Sequence, residues 1–118
     1  MSAYIPVSIG EFFDKWTMLK VEFEKITFTE RLEHIKNELD ILTPIVKNNQ
    51  IPENILTDLL ECNKRLWTNI EDIRRKESCQ EFDDEFIQLL RNIYLENNTK
   101  TKIMGCINGL YHRCPFTC

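Results

Sequence analysis

The 118-residue sequence predicts an all-α protein, a single-domain bundle of about four to five helices. Apolar residues recur at three- and four-residue spacing along most of the chain, which is the period of an amphipathic helix. Only three glycines and four prolines are present, too few for the many turns that an all-β fold needs. No segment alternates apolar and polar residues with a period of two, so no strand is expected.

The first predicted helix begins at Ser8. The run Ser8-Ile9-Gly10-Glu11 is a capping box, in which the serine hydroxyl accepts from the N–H of Glu11 and the Glu11 carboxylate reaches back to the cap. The helix that follows places an apolar stripe on one face, made of Ile9, Phe12, Phe13, Trp16, Leu19, Phe23 and Ile26. This stripe predicts that one face of the helix is buried.

The second predicted helix follows Thr27 and Glu30, which have the spacing of another capping box. Its apolar positions are Leu32, Ile35, Leu39 and Leu42. We expect this helix to end near Pro44, because proline has no N–H to donate and its ring clashes with the preceding turn. Residues 47–54, KNNQIPEN, are typical of a loop and place Pro52 in the first turn of the next helix.

The second half of the chain predicts a long helix followed by two shorter ones. The third helix spans about residues 52–77 and carries Leu56, Leu59, Leu60, Leu66, Trp67, Ile70 and Ile73 on one face. A fourth helix begins near Asp83 and buries Phe86, Leu89, Leu90 and Ile93. The polar run 96–100 is expected to break it, and a short fifth helix then uses Ile103, Ile107 and Leu110. Residues 109–118 are expected to form a loose tail of the single domain, which covers residues 1–118.

Composition and charge exclude several classes of protein. A net charge of -4 and a pI near 5.2, with basic residues scattered among acids, argue against a nucleic-acid binder. No apolar run approaches the roughly 20 residues of a membrane span. The first residues lack the basic and apolar regions of a secretory signal, so we expect a cytoplasmic protein whose five cysteines are reduced thiols.

The C-terminal cysteines raise the question of a zinc site. Cys106, His112, Cys114 and Cys118 are ligand types that suit tetrahedral zinc. Their spacing, C-x5-H-x-C-x3-C, lacks the paired C-x2-C of a zinc knuckle, so they form only a weak candidate and we expect neither a metal nor another cofactor. The chain also contains no nucleophile elbow, P-loop or dinucleotide fingerprint.

Polar residues inside the apolar stripes are the strongest candidates for a binding site. Lys20 interrupts the first stripe and Asn63 the third, while Arg74 extends the third stripe and Glu71 lies at its edge. If the two helices pack together, these side chains form one polar pocket walled by Trp16 and Trp67, whose donors suit a carboxylate or phosphate and whose indoles suit a ring. The alternative is a buried structural network in which Lys20 pairs with Glu71 or extends to the surface.

Four apolar residues lie off the main stripes and are candidates for an interface with another protein. Met18 and Val21 lie opposite the first stripe, and Ile87 and Tyr94 lie off the main line of the fourth helix. Exposed apolar side chains of this kind favour contact with a partner. We therefore expect a homo-oligomer, with a dimer favoured, or a protein partner.

Three segments of the chain together resemble the DUF6165 family, a group of small helical proteins of bacteria and some viruses. The segments are IPVSIGEFFDKWTMLKVEFEKI (5–26), LWTNIEDIRRKE (66–77) and FDDEFIQLLRNIYLENNTKTKIMGCIN (82–108). The resemblance implies a helical fold over residues 5–108 and brings no established activity. It implies a loose link to surface-glycan metabolism.

Two hypotheses about function follow. The first is a non-enzymatic helical binding or accessory protein that associates with itself. The second is a small helical enzyme that binds an anionic, ring-containing ligand through the Lys20, Asn63, Glu71 and Arg74 cluster. That enzyme would be chorismate-mutase-like, or nucleotide-hydrolase-like because Glu11-x-x-Asp14 matches a fragment of a magnesium-binding carboxylate pattern.

Overall fold

The described part of the chain consists of four α-helices. The structure, a computed structural model, describes residues 3–112, with side chains up to residue 110. Within these residues the helices are α1 (Ile9–Lys25), α2 (Thr29–Asn48), α3 (Glu53–Ser78) and α4 (Asp84–His112), and no strand is present. The predicted all-α class is confirmed, and no described helix combines the length and apolar composition that a membrane crossing requires.

The helix α1 lies at the centre of the arrangement. It packs against α2 on one side and against both α3 and α4 on the other, while α3 and α4 pack along each other as an antiparallel hairpin. The centre of the core consists of Phe13, Leu59 and Ile107, one residue from each of α1, α3 and α4, and all three are fully buried. Around them pack Ile9, Phe12, Val46, Ile51, Ile55, Leu56 and Ile103.

The packing of α1 uses two faces, where the sequence predicted one. Trp16 of the predicted stripe faces α2, because its Nε1 donates a 3.3 Å hydrogen bond to Thr43 Oγ1, whereas Phe13 of the same stripe packs against α3 and α4. A second face, next to Phe13, carries the buried Gly10, Thr17 and Val21, of which Gly10 meets α4 and Thr17 meets α3. Val21 is only 2% exposed, so its prediction as an exposed interface residue is wrong. This second face escapes a hydropathy pattern because glycine and threonine are not apolar signals.

The crossing of α1 and α4 depends on Gly10. A Cβ atom at this position would lie 2.7 Å from the Met104 carbonyl oxygen, closer than real Cβ atoms come. The Gly10 N–H, which has no partner inside the first turn of α1, donates to Asn108 Oδ1 at 2.7 Å. A side chain of α4 therefore caps α1, in addition to the predicted Ser8 cap, whose Oγ accepts from the Glu11 N–H at 3.1 Å.

The helix α2 differs from its prediction at both ends. It begins at Thr29 after Phe28, which has no side-chain cap, so the predicted box at Thr27 does not form. It continues through Pro44 to Asn48. Proline removes one hydrogen bond and costs about 3 kcal/mol in a helix interior. Here only one further turn follows it, and that turn is held by the packing of Val46 against the core.

The helix α4 is continuous where a break and a fifth helix were predicted. Residues 96–100 contain asparagine and threonine, which cost only about 0.7 kcal/mol each in a helix, and no glycine or proline. Two residues of this run also have tertiary partners, since Glu96 pairs with Arg65 and Lys100 with Asp14. Residues 109–112, predicted as the start of a loose tail, belong to α4, whereas residues 113–118 lie outside the described part.

The turn between α3 and α4 is fixed by backbone hydrogen bonds and by a buried lysine. The N–H groups of Gln80 and Glu81 donate to the carbonyls of Glu77 and Lys76, which is a Schellman motif with Gln80 in the left-handed region at φ 54°. The Lys76 ammonium lies 3.1 Å from Asp83 Oδ2, with the carboxylates of Glu81 and Glu85 at 3.5 Å. The hydrogen bonds from the Phe86 N–H and from Lys76 lower the pKa of Asp83.

Candidate functional site

The predicted cluster of Lys20, Asn63, Glu71 and Arg74 does not form. The prediction that these four side chains are connected is therefore wrong. Lys20 is exposed, and its Nζ lies 5.3 Å from the centre of the Trp16 ring. Arg74 pairs with Glu71 on the surface of α3, at 2.9 Å. The reason lies in the choice of face: α1 presents the Gly10, Thr17 and Val21 side to α3, not the side that carries Lys20.

Asn63 instead joins a buried network that links α1, α3 and α4. Its Nδ2 donates to Thr17 Oγ1 at 2.8 Å and to Asp14 Oδ1 at 3.1 Å. Its Oδ1 accepts from Lys100 Nζ at 3.2 Å, and Lys100 closes the ring through an ion pair with Asp14 at 3.3 Å. A buried network therefore exists, but it is not the predicted one: of the four predicted members only Asn63 belongs to it, and its partners are Asp14, Thr17 and Lys100.

The three partners of Asn63 have only weak signals in the sequence. Asp14 matches a fragment of a carboxylate pattern, Thr17 has no distinctive spacing, and Lys100 lies in the run that predicts a helix break. A helical wheel that treats polar and small residues as a face places Asp14, Thr17 and Val21 together. Such a wheel therefore indicates the α1 side of the network.

A small pocket opens beside this network. It has a volume of about 140 Å³ and is lined by Met18, Val21, Glu22, Asn63, Leu66, Trp67, Ile70, Asn97 and Lys100. Of the five predicted ligand-binding residues, Asn63 and Trp67 line this pocket and Lys20, Glu71 and Arg74 do not. The volume is below the roughly 300 Å³ of a typical ligand site, and the Lys100 charge already pairs with Asp14.

A second polar group connects the middle of α3 to α4. Arg65 Nε donates to Glu96 Oε1 at 2.7 Å, and the Cys62 thiol lies 3.2 Å from Glu96 Oε2. The hydrogen bond from Arg65 lowers the pKa of Glu96. Burial, with the neighbouring Glu96 carboxylate, raises the pKa of Cys62 to about 11. A thiol with this pKa stays protonated at neutral pH, which makes it a structural group and a poor nucleophile.

No metal centre is found in the part of the chain that the structure describes. No three His, Cys, Asp or Glu side chains within it converge as metal ligands. Of the four residues of the weak zinc candidate, the side chains of His112, Cys114 and Cys118 lie outside the described residues. Asp14, which belongs to the predicted magnesium-binding pattern, bonds instead to Asn63 and Lys100.

An apolar opening lies between the N-terminal segment, α1 and α2, and we call it the N-terminal groove. Its volume is about 620 Å³. It is lined by Ala3, Tyr4, Ile5, Val7, Glu11, Phe12, Asp14, Lys15, Met18, Glu38, Ile41 and Leu42. The Lys15 ammonium lies 3.7 Å from Glu38 Oε2, a pair that joins α1 to α2 within the lining. This groove was not predicted, because it is formed by residues that are distant in sequence.

A second exposed apolar surface runs along α4. Ile87 is 62% exposed, and Tyr94 lies on the same side of the helix, as does Leu90, which was predicted to be buried and is exposed. The predicted exposure of Ile87, Tyr94 and Met18 is confirmed. Met18 differs from the other two in that it lines the N-terminal groove as well as the small pocket.

Comparison with known proteins adds no relative. No protein-family model matches the chain, and no curated protein or solved structure matches it significantly. The resemblance to the DUF6165 family therefore stays a prediction.

Proposed function

We propose that the chain is a non-enzymatic helical binding protein that associates with itself through apolar surface. The observation that carries the proposal is the N-terminal groove, with a volume of about 620 Å³ and mainly apolar walls. Its walls include Tyr4, Ile5 and Ile41, each more than half exposed, and adjacent exposed apolar side chains favour contact with a partner. The exposed Ile87, Leu90 and Tyr94 on α4 form a separate apolar surface, which is the alternative place for the contact.

The buried polar groups support a binding role over a catalytic one. Asp14, Asn63 and Lys100 bond to one another, and Glu96 is engaged by Arg65 and Cys62. A general acid, a base or a nucleophile must be able to reach a substrate atom, which these paired groups do not do. Paired in this way, these groups hold the helices in position relative to one another.

The enzyme hypothesis loses its main support with the predicted cluster. A pocket for an anionic ring would need Lys20 and Arg74 to face one space, but each has a separate surface partner. The proposed link to surface-glycan metabolism rests on the family resemblance alone and receives no support from these contacts.

Sedimentation velocity of the full chain, from sub-micromolar to several hundred micromolar, tests the proposed self-association. We expect the weight-average mass to rise with concentration from that of the 14.1 kDa chain toward twice that value. The buffer should contain a reductant, because Cys79 is exposed and a disulfide between two copies would give the same mass. A monomer at every concentration would contradict the proposal.

A further inference from the structure

The N-terminal segment, residues 3–7, belongs to no helix or strand, and its apolar side chains are exposed; we call it the arm. Tyr4 is 96% exposed and Ile5 is 76% exposed, and Val7 is also exposed. No backbone group of residues 3–7 bonds to another described residue. The arm lines the mouth of the N-terminal groove without filling it. Within the described residues of one copy, both the apolar arm and the apolar groove stay exposed.

The wall of the groove opposite the arm is also exposed. Ile41 of α2 is 68% exposed, and Met18 of α1 is accessible beside it. The Lys15–Glu38 pair and Glu11 supply charged groups around this apolar wall. An occupant with two or three apolar side chains and one polar tip would match the groove, and Tyr4 with its hydroxyl has this character.

We infer that the arm of one copy docks into the N-terminal groove of a second copy, and that the exchange is reciprocal. The inference deepens the proposed self-association by naming its surface, and it rests on that proposal. A two-fold arrangement is self-complementary, since each copy supplies the arm that the other groove receives. The same contact covers the exposed side of Tyr4, Ile5 and Ile41 in both copies.

The area available agrees with what a stable dimer needs. Tyr4, Ile5, Val7, Met18 and Ile41 together expose roughly 600 Å² in one copy, given that a large aromatic side chain buries about 150–250 Å². Reciprocal docking then removes at most about 1,200 Å² from water, which reaches the lower end of the range for specific interfaces. A second copy covers the arm and the groove at once, which favours it as the occupant.

Charge substitutions in the groove and on α4 test the inference by a matched comparison. Ile41→Glu places a carboxylate in the groove wall, and Ile87→Glu places the same group at a similarly exposed position on α4. We expect Ile41→Glu to weaken the dimer at least tenfold in sedimentation velocity and Ile87→Glu to leave it unchanged. Circular dichroism of both variants verifies that the helices are intact.

Photo-crosslinking gives a second readout that does not depend on the substitution at Ile41. A benzoylphenylalanine at Tyr4 occupies an exposed position, and mixing ¹⁵N-labelled with unlabelled chain separates crosslinks between copies from those within one copy. We expect crosslinks between copies that map near Ile41 and Leu42.

Different outcomes separate this inference from the proposed function. A dimer that survives Ile41→Glu, or that crosslinks between copies at α4 near Ile87, overturns the exchange of arms and leaves self-association standing. A wild-type chain that stays monomeric overturns both, and the groove then belongs to a different partner.

Discussion

The network around Asn63 allows the clearest test of the packing, through the substitution Asn63→Ala. The change removes one donor to Thr17, one donor to Asp14 and the acceptor for Lys100. The Asp14–Lys100 ion pair remains at 3.3 Å, and the Thr17 hydroxyl keeps its bonds to the carbonyls of Phe13 and Asp14. No buried charge is therefore left without a partner.

The change in the free energy of unfolding follows from the hydrogen bonds that are lost and the interactions that remain. Two of the lost bonds involve a charged partner, and such bonds contribute about 1.5–3 kcal/mol each when nothing replaces them. The remaining ion pair recovers part of this, and alanine is a better helix former than asparagine by about 0.6 kcal/mol. We expect a net loss of about 2–3 kcal/mol in the free energy of unfolding.

Urea unfolding monitored by circular dichroism measures the effect of Asn63→Ala. With a slope near 1.5 kcal/mol/M, the midpoint should fall by about 1.3–2 M while the slope stays the same. Asn69→Ala is the matched control, because Asn69 lies on the same helix and its side chain bonds to no described residue. We expect the control to be neutral or slightly stabilising. Equal midpoints for the two variants would refute the role assigned to Asn63.

Three further substitutions test other parts of the fold. Gly10→Ala should cost about 1–3 kcal/mol in thermal or urea unfolding, because its Cβ would lie 2.7 Å from the Met104 carbonyl oxygen; an unchanged midpoint would contradict this crossing. Gln80→Gly should stabilise by up to about 1 kcal/mol in the same assay, because glycine adopts the left-handed conformation without strain; a loss of stability would contradict the Schellman turn. Burial raises the pKa of Cys62 from 9.0 to about 11, so its contribution to stability is complete below pH 9 and is lost as the pH rises through 11. Between pH 9 and pH 11 the free energy of unfolding should therefore fall more steeply with pH for the wild type than for Cys62→Ser. The same pH dependence for both proteins would contradict the raised pKa of Cys62.

Local signals in the sequence predicted most of the fold. The capping pattern at Ser8 and the stripes with a period of 3.6 residues located the helices, because caps and periodicity act over a few residues. Pro44 and residues 96–100 misled the prediction of helix ends. In both cases tertiary contacts, of Val46 with the core and of Lys100 with Asp14, hold a helix where local preference is weak.

The candidate site could be predicted only in part. Asn63 was recognised as a polar residue in an apolar stripe, but its partners depend on which face of α1 meets α3. That face is defined by Gly10 and Thr17, whose small side chains allow close approach and carry no hydrophobic signal. The N-terminal groove combines Tyr4 with Ile41, two residues whose proximity no local pattern encodes.

The peripheral position of α2 has a consequence for the order in which the fold opens. Within the described residues α2 packs against α1 and makes no helix contact with α3 or α4, and its last turn reaches the core through Val46. Such an element can detach in a partial unfolding event while the other three helices stay together. Amide hydrogens in the first half of α2 should therefore exchange at a lower opening free energy than those near Leu59 in α3. If a second copy covers the N-terminal groove, exchange in α2 becomes dependent on protein concentration, and α2 then reports the assembly state of the chain.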